Sequence, residues 1–121
     1  MKVKNMKTIC FDIDNTICKT FKSNYSKSTP NKKAIEIING LHAKGHTIKI
    51  LTARYMGRNN DNIKKANIQG YKKTLKQLKK WGLKFHKLFI TKPAFDIYVD
   101  DKSLNFKKNW LKAIEKMYLK S

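Results

Sequence analysis

The sequence is poor in acidic residues, in arginine and in cysteine, and it has no long apolar run. Of its 121 residues only 8 are Asp or Glu, against 28 Lys or Arg, and Arg54 and Arg58 are the only arginines. No stretch approaches the roughly 20 apolar residues of a membrane-spanning helix. The basic N-terminus leads into an apolar run that is too short for the core of a signal peptide. These absences argue against a membrane partner and predict a cytoplasmic location.

The net charge of +20 would ordinarily indicate a nucleic acid or another polyanion as the partner. However, dedicated nucleic-acid surfaces tend to use arginine forks and exposed aromatic side chains, and here the charge comes almost entirely from 26 lysines. Lys, Asn and Ile, all abundant in this chain, are favoured by AT-rich codons. Compositional bias is therefore the favoured explanation, and nucleic acid stays a possible but less favoured partner. A positive field would still attract a phosphorylated substrate.

The two cysteines do not form a metal site of their own. Cys10 and Cys18 lack the Cys-x-x-Cys spacing and the Cys/His spacing of zinc sites. Cys10 lies in an apolar run and is predicted to pack inside a strand as a small apolar residue. The pair is read as free thiols.

The pattern of apolar residues predicts alternating strands and helices in one domain that covers residues 1–121. Helices are predicted for residues 32–43, where Asn31 is the N-cap and Gly45 the stop, for residues 71–81, which Gly82 ends, and for residues 104–119. The segment 15–30 is predicted to be an extended loop or a small flap. Strands are predicted for residues 8–11, 46–51, 87–90 and 96–99. The alternation is typical of an α/β protein with a mainly parallel sheet.

Half of the acidic residues occur as two pairs, Asp12 with Asp14 and Asp100 with Asp101, each directly after a predicted strand. Like charges held close together persist when a cation binds them or when one of them keeps its proton. Ligands bind beyond the carboxyl ends of the strands in parallel sheets. That rule predicts that both pairs meet at one rim, together with Thr52 and Lys92, as a metal-assisted acid site.

Four ordered segments resemble the motifs of the haloacid dehalogenase (HAD) superfamily and together span roughly residues 7–106. Residues 12–16 (Asp-Ile-Asp-Asn-Thr) resemble the first motif, and residues 48–52, a strand ending in Thr52, resemble the second. Lys92 followed by Pro93 resembles the third motif, and residues 98–101 (Tyr-Val-Asp-Asp) resemble the acidic fourth. The resemblance implies a three-layer Rossmann-like fold around a mainly parallel sheet.

The resemblance also implies roles in magnesium-dependent phosphate ester hydrolysis. Asp12 would attack phosphorus to give an aspartyl-phosphate, and Asp14 would be the general acid and base, which requires it to hold a proton near neutral pH. Mg²⁺ would bind the Asp12 carboxylate, the Asp14 backbone carbonyl and Asp100, with Asp101 as a direct ligand or holding a metal-bound water.

Phosphate oxygens would be held by Thr52 and by backbone amides near Ile13 and Ala53, and Lys92 would offset the charge of the reacting groups. For Arg54 two interpretations stay open: it binds a second anionic group of the substrate, or it is an ordinary surface arginine. Considered singly, each motif has a plainer interpretation, such as a strand-end turn for Asp12 and Asp14 or the N-cap of the last helix for Asp100 and Asp101.

The spacing of the motifs leaves no room for a full cap domain, because 37 residues separate Asp14 from Thr52 and 39 separate Thr52 from Lys92. The flap is then the only lid, and the chain resembles small phosphatases associated with surface-polysaccharide biosynthesis. Three functions are predicted in order of preference: a phosphatase for a small metabolite such as a sugar phosphate, a phosphatase for nucleic-acid ends, and a catalytically silent binding protein. Capless proteins of this kind either use an open cleft or cover it as a homo-oligomer.

Overall fold

The computed structural model of the protein describes residues 6–104 and 109–120, and its fold is α/β, with a parallel three-stranded sheet. A two-stranded flap lies between the first strand and the first helix, and the last helix continues with a π-helical turn. The elements, in chain order, are β1 (Thr8–Phe11), β2 (Cys18–Lys19), β3 (Thr29–Pro30), α1 (Lys32–Lys44), β4 (Thr47–Thr52), α2 (Ile63–Lys80), β5 (Lys87–Ile90), α3 (Trp110–Ile114) and the π-helix Glu115–Leu119.

The sheet has the strand order β1–β4–β5, and both pairs of neighbours are parallel. Phe11 is paired with Ile50, and Thr52 is paired with Ile90, so the three strands end at the same edge. Ile48 and Ile50 of β4 are fully buried, which explains why this strand can occupy the centre of a sheet covered by helices. The register places the residues that follow each strand next to one another. The described elements are consistent with Rossmann-like layering.

Helix α1 forms as the sequence predicts. The Asn31 side chain accepts a hydrogen bond from the Ala34 amide at 3.1 Å and caps the first turn. Ile38 and Leu41 are fully buried on one face of the helix, which packs against β4. Gly45 ends the helix with φ of 113°, a left-handed conformation that glycine adopts without a side-chain clash.

Helix α2 begins eight residues earlier than the predicted start at residue 71. The Asn62 side chain accepts a hydrogen bond from the Lys65 amide at 3.0 Å, so an N-cap is present in a segment whose polar composition conceals the helical period. Gly70, in the middle of α2, lies against the Tyr55 ring, which has room only because glycine has no Cβ. The helix therefore packs closely on the loop after β4.

The prediction of a strand at residues 96–99 is wrong, because this segment has no regular secondary structure. Ile97 and Val99 are 81% and 92% exposed, so the apolar run that predicted the strand is not buried. Residues 105–108 of the predicted last helix lie outside the described residues. Leu104 is not helical, and the described part of the helix begins at Trp110.

The π-helix Glu115–Leu119 packs on α1, and the Trp110 ring lies 6.3 Å from the Phe11 ring, measured between their centres. His46, which is buried, accepts a hydrogen bond from the Lys7 amide at its Nδ1 atom (3.0 Å), and its Nε2 atom lies 3.0 Å from the Tyr118 carbonyl oxygen. This imidazole joins the residue before β1 to the C-terminal helix.

Cys10 of β1 is exposed, contrary to the prediction that it packs in the interior. Within residues 6–104 and 109–120, no helix has both the length and the apolar character needed to cross a bilayer.

Candidate active site

Asp12 follows β1 directly and occupies the rim at the carboxyl end of the sheet. Its Oδ1 atom accepts a hydrogen bond from the Ile13 amide at 2.9 Å, and its Oδ2 atom lies 3.7 Å from Nζ of Lys92. Burial raises the pKa of Asp12, the positive charge of Lys92 and the Ile13 hydrogen bond oppose that rise, and the nearby Asp14 charge adds to it. Asp12 is thus a partly buried carboxylate beside a cation, more basic than an ordinary aspartate.

Asp14 is held by a tight turn in which the Ile13 carbonyl oxygen accepts hydrogen bonds from the amides of residues 16–18. Its carboxylate is paired with Arg54: Nε donates to Oδ2 at 3.0 Å, and Nη2 donates to Oδ1 at 2.9 Å. Thr20 of the flap donates a further hydrogen bond to Oδ1 at 2.5 Å. A guanidinium that contacts both oxygens of a carboxylate fixes its orientation. The expected roles of Asp14 as general acid and general base stay predictions.

Arg54 is 1% exposed, so it is not the surface arginine that one interpretation proposed. Besides Asp14, its Nη1 atom donates to Oε1 of Gln77 at 2.7 Å, and its guanidinium lies 4.7 Å from the centre of the Tyr25 ring. Gln77 of α2 in turn donates from Nε2 to the Tyr25 carbonyl oxygen at 2.7 Å. Arg54 thus joins Asp14, α2 and the flap in one buried network, and its predicted contact with a substrate anion stays a prediction.

The flap supplies site residues that the sequence reasoning missed. Thr20 and Ser28 lie within 2.6 Å of each other through their hydroxyl oxygens, and both contact the Asp14–Arg54 pair. Cys18 is buried below them, and burial raises the pKa of its thiol. No local signal in a segment rich in Ser, Thr and Asn distinguishes these hydroxyls from solvent-exposed ones. For Gln77 a weak signal exists, since it is the only residue other than lysine between Leu75 and Leu78.

Thr52 and Lys92 lie where the sequence predicts them. Thr52, the last residue of β4, is 1% exposed, and its hydroxyl oxygen accepts a hydrogen bond from the Arg54 amide at 3.1 Å. The hydroxyl proton stays available for an acceptor in the cleft. The Lys92 amide donates to the Thr52 carbonyl oxygen at 3.3 Å, which anchors the segment after β5 to the rim. The Ile13 amide, expected to bind phosphate, instead donates to Asp12.

An open cavity of about 690 Å³ lies at this rim, a volume suited to a small-molecule ligand. Six of the predicted site residues lie on it: Asp12, Asp14, Thr52, Ala53, Arg54 and Lys92. Tyr25 of the flap also lines it, together with residues outside the predicted site, among them Lys22, Tyr55, Arg58 and Phe95. The cavity combines a carboxylate beside a cation, an ion-paired second carboxylate, a hydroxyl group and further cations, which are groups that can bind and attack an anionic ester.

Asp100 and Asp101 are not part of this cavity. Both are exposed, and Oδ1 of Asp100 accepts a hydrogen bond from the Lys102 amide at 3.2 Å within its own turn. Because residues 96–99 form no strand, the chain does not carry the two acids to the rim. Among the described residues, no three His, Cys, Asp or Glu side chains come together in a group that could hold a metal ion. The roles of Asp100 and Asp101 as metal ligands stay predictions.

The fold of the chain is similar to a solved structure. A crystal structure of a structural genomics target from Vibrio cholerae superposes with a TM-score of 0.76 at 24% sequence identity, covering 92% of this chain and 98% of that chain. At this level of identity the likeness concerns the fold alone. No protein-family model and no curated protein sequence matches the chain.

Proposed function

We propose that the protein is a magnesium-dependent phosphatase of the HAD type that hydrolyses a phosphate monoester through an aspartyl-phosphate. One observation carries this proposal: Asp12 and Lys92, 80 positions apart in the sequence, meet with Oδ2 and Nζ at 3.7 Å on a cavity formed at the ends of the parallel strands. Asp14 and Thr52, from two other segments, line the same cavity. Three of the four motif segments on which the family resemblance rests therefore converge. The finer fold assignment, a three-layer HAD-like domain without a full cap, belongs to the same proposal.

The proposed chemistry has two steps. In the first, a carboxylate oxygen of Asp12 bonds to phosphorus, the phosphorus–oxygen ester bond breaks, and the leaving oxygen takes a proton from Asp14. In the second, Asp14 takes a proton from water, which attacks the aspartyl-phosphate and releases inorganic phosphate and free Asp12. Thr52 and Lys92 stabilise the phosphoryl oxygens in both steps.

The ion pair with Arg54 fixes the orientation of the Asp14 carboxylate for both proposed proton transfers. Of its two oxygens, Oδ1 accepts from Arg54, Thr20 and Cys18, and Oδ2 accepts from Arg54 Nε within the described residues. Oδ2 is therefore the atom that we assign to proton transfer.

Residues for a magnesium site are only partly together. Asp12 and Asp14 supply the hard oxygen donors that Mg²⁺ prefers, and the exposed Asp100 is the third ligand in this proposal. β1 pairs only with β4 in the described sheet, and the exposed Ile97 and Val99 could add a parallel strand along its other edge. That addition would bring Asp100 to the rim. When bound, Mg²⁺ would reduce the repulsion between the Asp12 carboxylate and the phosphate.

A small phosphorylated metabolite, such as a sugar phosphate, is the favoured substrate because the cavity volume matches a small molecule. The net charge of +20 and the open cavity favour a nucleic-acid end as the alternative substrate. That alternative predicts rates that fall steeply as salt rises.

Phosphate release from a panel of sugar phosphates, nucleotides and phosphorylated oligonucleotides tests the proposal. We expect magnesium-dependent release that excess chelator abolishes and that Asp12→Asn abolishes without loss of the fold. We expect Asp14→Asn to slow both the formation and the hydrolysis of the aspartyl-phosphate, because Asp14 transfers a proton in each step. Glu36→Gln, which removes an exposed acid of α1, is the charge-matched control and keeps full activity. Turnover by Asp12→Asn would reject Asp12 as the nucleophile, and full turnover in chelator would reject the metal requirement.

A further inference from the structure

Four cationic side chains line the candidate active-site cavity: Lys22, Arg54, Arg58 and Lys92. Arg54 is paired with Asp14, and Lys92 is paired with Asp12. Lys22 and Arg58 form no ion pair with a carboxylate in the described part of the chain. The two charges, called here the mouth cations, are therefore available to an anionic ligand in the cavity.

Arg58 is held in place although it is exposed. Its Nη2 atom donates to the Ser23 carbonyl oxygen at 3.3 Å, which joins the loop after β4 to the tip of the flap. Its guanidinium lies 5.3 Å from the centre of the Tyr25 ring and 4.9 Å from the centre of the Tyr55 ring. Contacts of this kind with aromatic rings orient a guanidinium while leaving its N–H groups able to donate. The Arg58 guanidinium is therefore restricted in position, and its remaining N–H groups can donate to an anionic ligand in the cavity.

Lys22 sits at the tip of the flap in an unusual backbone conformation. Lys22 and the following Ser23 have φ of 47° and 58°, in the left-handed region that residues with a side chain seldom adopt. Such conformations are energetically unfavourable and cluster at ligand clamps. Tyr55, which also lines the cavity, has a positive φ of 67°. Two separate segments that line the cavity, the tip of the flap and the loop after β4, therefore contain backbone in this unusual conformation.

We propose that Lys22 and Arg58 bind a second anionic group of the substrate, which is a small phosphate monoester that carries a further phosphate or a carboxylate. This inference rests on the proposed phosphatase function, in which the first phosphate lies between Asp12, Thr52 and Lys92. Both mouth cations stand on the same cavity as those groups, so one small molecule can reach both ends. A guanidinium fork and an ammonium suit the oxygens of either anion.

Binding of matched ligands tests the inference directly. Dissociation constants are measured by calorimetry for glucose 6-phosphate, glucose 1,6-bisphosphate and 6-phosphogluconate, with the full chain in excess chelator, where no turnover is expected. We expect glucose 1,6-bisphosphate and 6-phosphogluconate, which each carry a second anionic group, to bind about tenfold more tightly than glucose 6-phosphate. The double variant Lys22→Gln/Arg58→Gln should lose that difference and bind glucose 6-phosphate within about twofold of the unmodified protein.

Lys19→Gln/Lys27→Gln is the matched control. Both are exposed lysines of the same flap that do not line the cavity, so their replacement also removes two charges and should leave the preference intact. A preference that survives in the Lys22→Gln/Arg58→Gln variant, or that is lost equally in Lys19→Gln/Lys27→Gln, would overturn the inference. Tighter binding of a 5′-phosphorylated oligonucleotide than of the bisphosphate, unchanged in the Lys22→Gln/Arg58→Gln variant, would overturn it in favour of an extended basic surface.

The binding and turnover experiments separate the inference from the proposed function. One outcome is that the unmodified protein releases no phosphate from any ester and still binds ligands with a second anionic group more tightly, in a way that depends on Lys22 and Arg58. In that case the phosphatase proposal fails and the anion site stands. If phosphate release depends on Asp12 but Lys22→Gln/Arg58→Gln does not change the KM for the bisphosphate, the phosphatase proposal stands and the anion site fails.

Discussion

The surroundings of the Asp14 side chain are set by a contact with a distant segment of the chain. Its position after β1 follows from a local pattern, but the Arg54 guanidinium that contacts both of its oxygens comes from 40 residues further along the chain. Arg54 is almost completely buried, and Asp14 is 22% exposed, so the pair is largely shielded from water. Removal of one partner from such a pair leaves the other charge poorly solvated.

We predict that Arg54→Met lowers the free energy of unfolding by about 3 kcal/mol, because it leaves both Asp14 and Gln77 without their guanidinium partner. Arg54→Lys keeps the charge but not the fork, and should recover part of the loss. Urea denaturation measures both variants, and Arg58→Met, at the other arginine, is the control with little effect. Equal stability of the Arg54→Met variant and the unmodified protein would show that the pair does not stabilise the fold.

The raised pKa of Asp12 predicts a pH-dependent stability at the same site. A carboxyl that binds its proton more tightly in the folded state contributes stability at pH values below its unfolded pKa of about 3.9, and that contribution is lost as the pH rises through the folded value. Asp12→Asn cannot ionise, so it should be more stable than the unmodified protein at neutral pH.

Thermal unfolding in excess chelator, followed from pH 7 down to about pH 4, measures this difference. The stability advantage of Asp12→Asn should shrink as the pH falls and vanish near the lower limit. Glu36→Gln, at an exposed acid, should show no comparable advantage at neutral pH. An Asp12→Asn variant that is less stable at pH 7 would mean that the ion pair with Lys92 outweighs burial.

At the scale of elements, α2 is positioned by a close contact that a helix propensity scale would not anticipate. Gly70 is a poor helix former in the interior of an 18-residue helix, yet the ring of Tyr55 occupies the space that a Cβ would need. Tyr55 also lies on the cavity wall. The glycine therefore allows α2 to approach the loop that carries Arg54 and Arg58.

We predict that Gly70→Ala destabilises the protein by about 1–3 kcal/mol, because overpacking outweighs the gain in helix propensity. Gly40→Ala is the matched control in the interior of α1, where a Cβ would meet only the movable end of the Leu119 side chain at 3.2 Å. That variant should be close to neutral. Denaturant midpoints measure both variants, and a stabilising Gly70→Ala substitution would contradict the close packing of Tyr55.

At the scale of the whole molecule, the described sheet ends in an unpaired strand edge, and the segment at residues 96–101 has exposed apolar side chains. β1 is an edge strand in the described structure, and the segment exposes Ile97, Tyr98 and Val99. A strand edge with unpaired backbone groups is a template for the addition of a further extended segment. The proposed magnesium site requires the same movement, since Asp100 must reach Asp12.

We predict that Mg²⁺ slows amide hydrogen exchange at residues 97–99 and in β1, because docking pairs their backbone groups. Hydrogen exchange with mass spectrometry measures the effect with and without the ion. Asp100→Asn should abolish the protection, whereas Asp96→Asn, an exposed acid of the same segment that is not a predicted ligand, should keep it. Mg²⁺ that leaves exchange unchanged, or equal effects of the two substitutions, would contradict the docking.

The sequence by itself determined the features that depend on neighbouring residues or on strand polarity. The Asn31 cap, the end of α1 at Gly45 and the strands β1 and β5 follow from local signals, and parallel strands necessarily bring Asp12, Thr52 and Lys92 to one edge.

The tertiary structure alone decided which distant residues form hydrogen bonds and ion pairs with the polar residues of the site. From the sequence, Arg54 could be interpreted as a surface residue, but in the structure it is enclosed by Asp14, Gln77 and Tyr25. The apolar run at residues 97–99 predicted a strand, but in the structure this segment is exposed and forms none. The reason is physical: burial and ion pairing depend on segments that are distant in the sequence, whereas caps and strand periods depend on the nearest few residues.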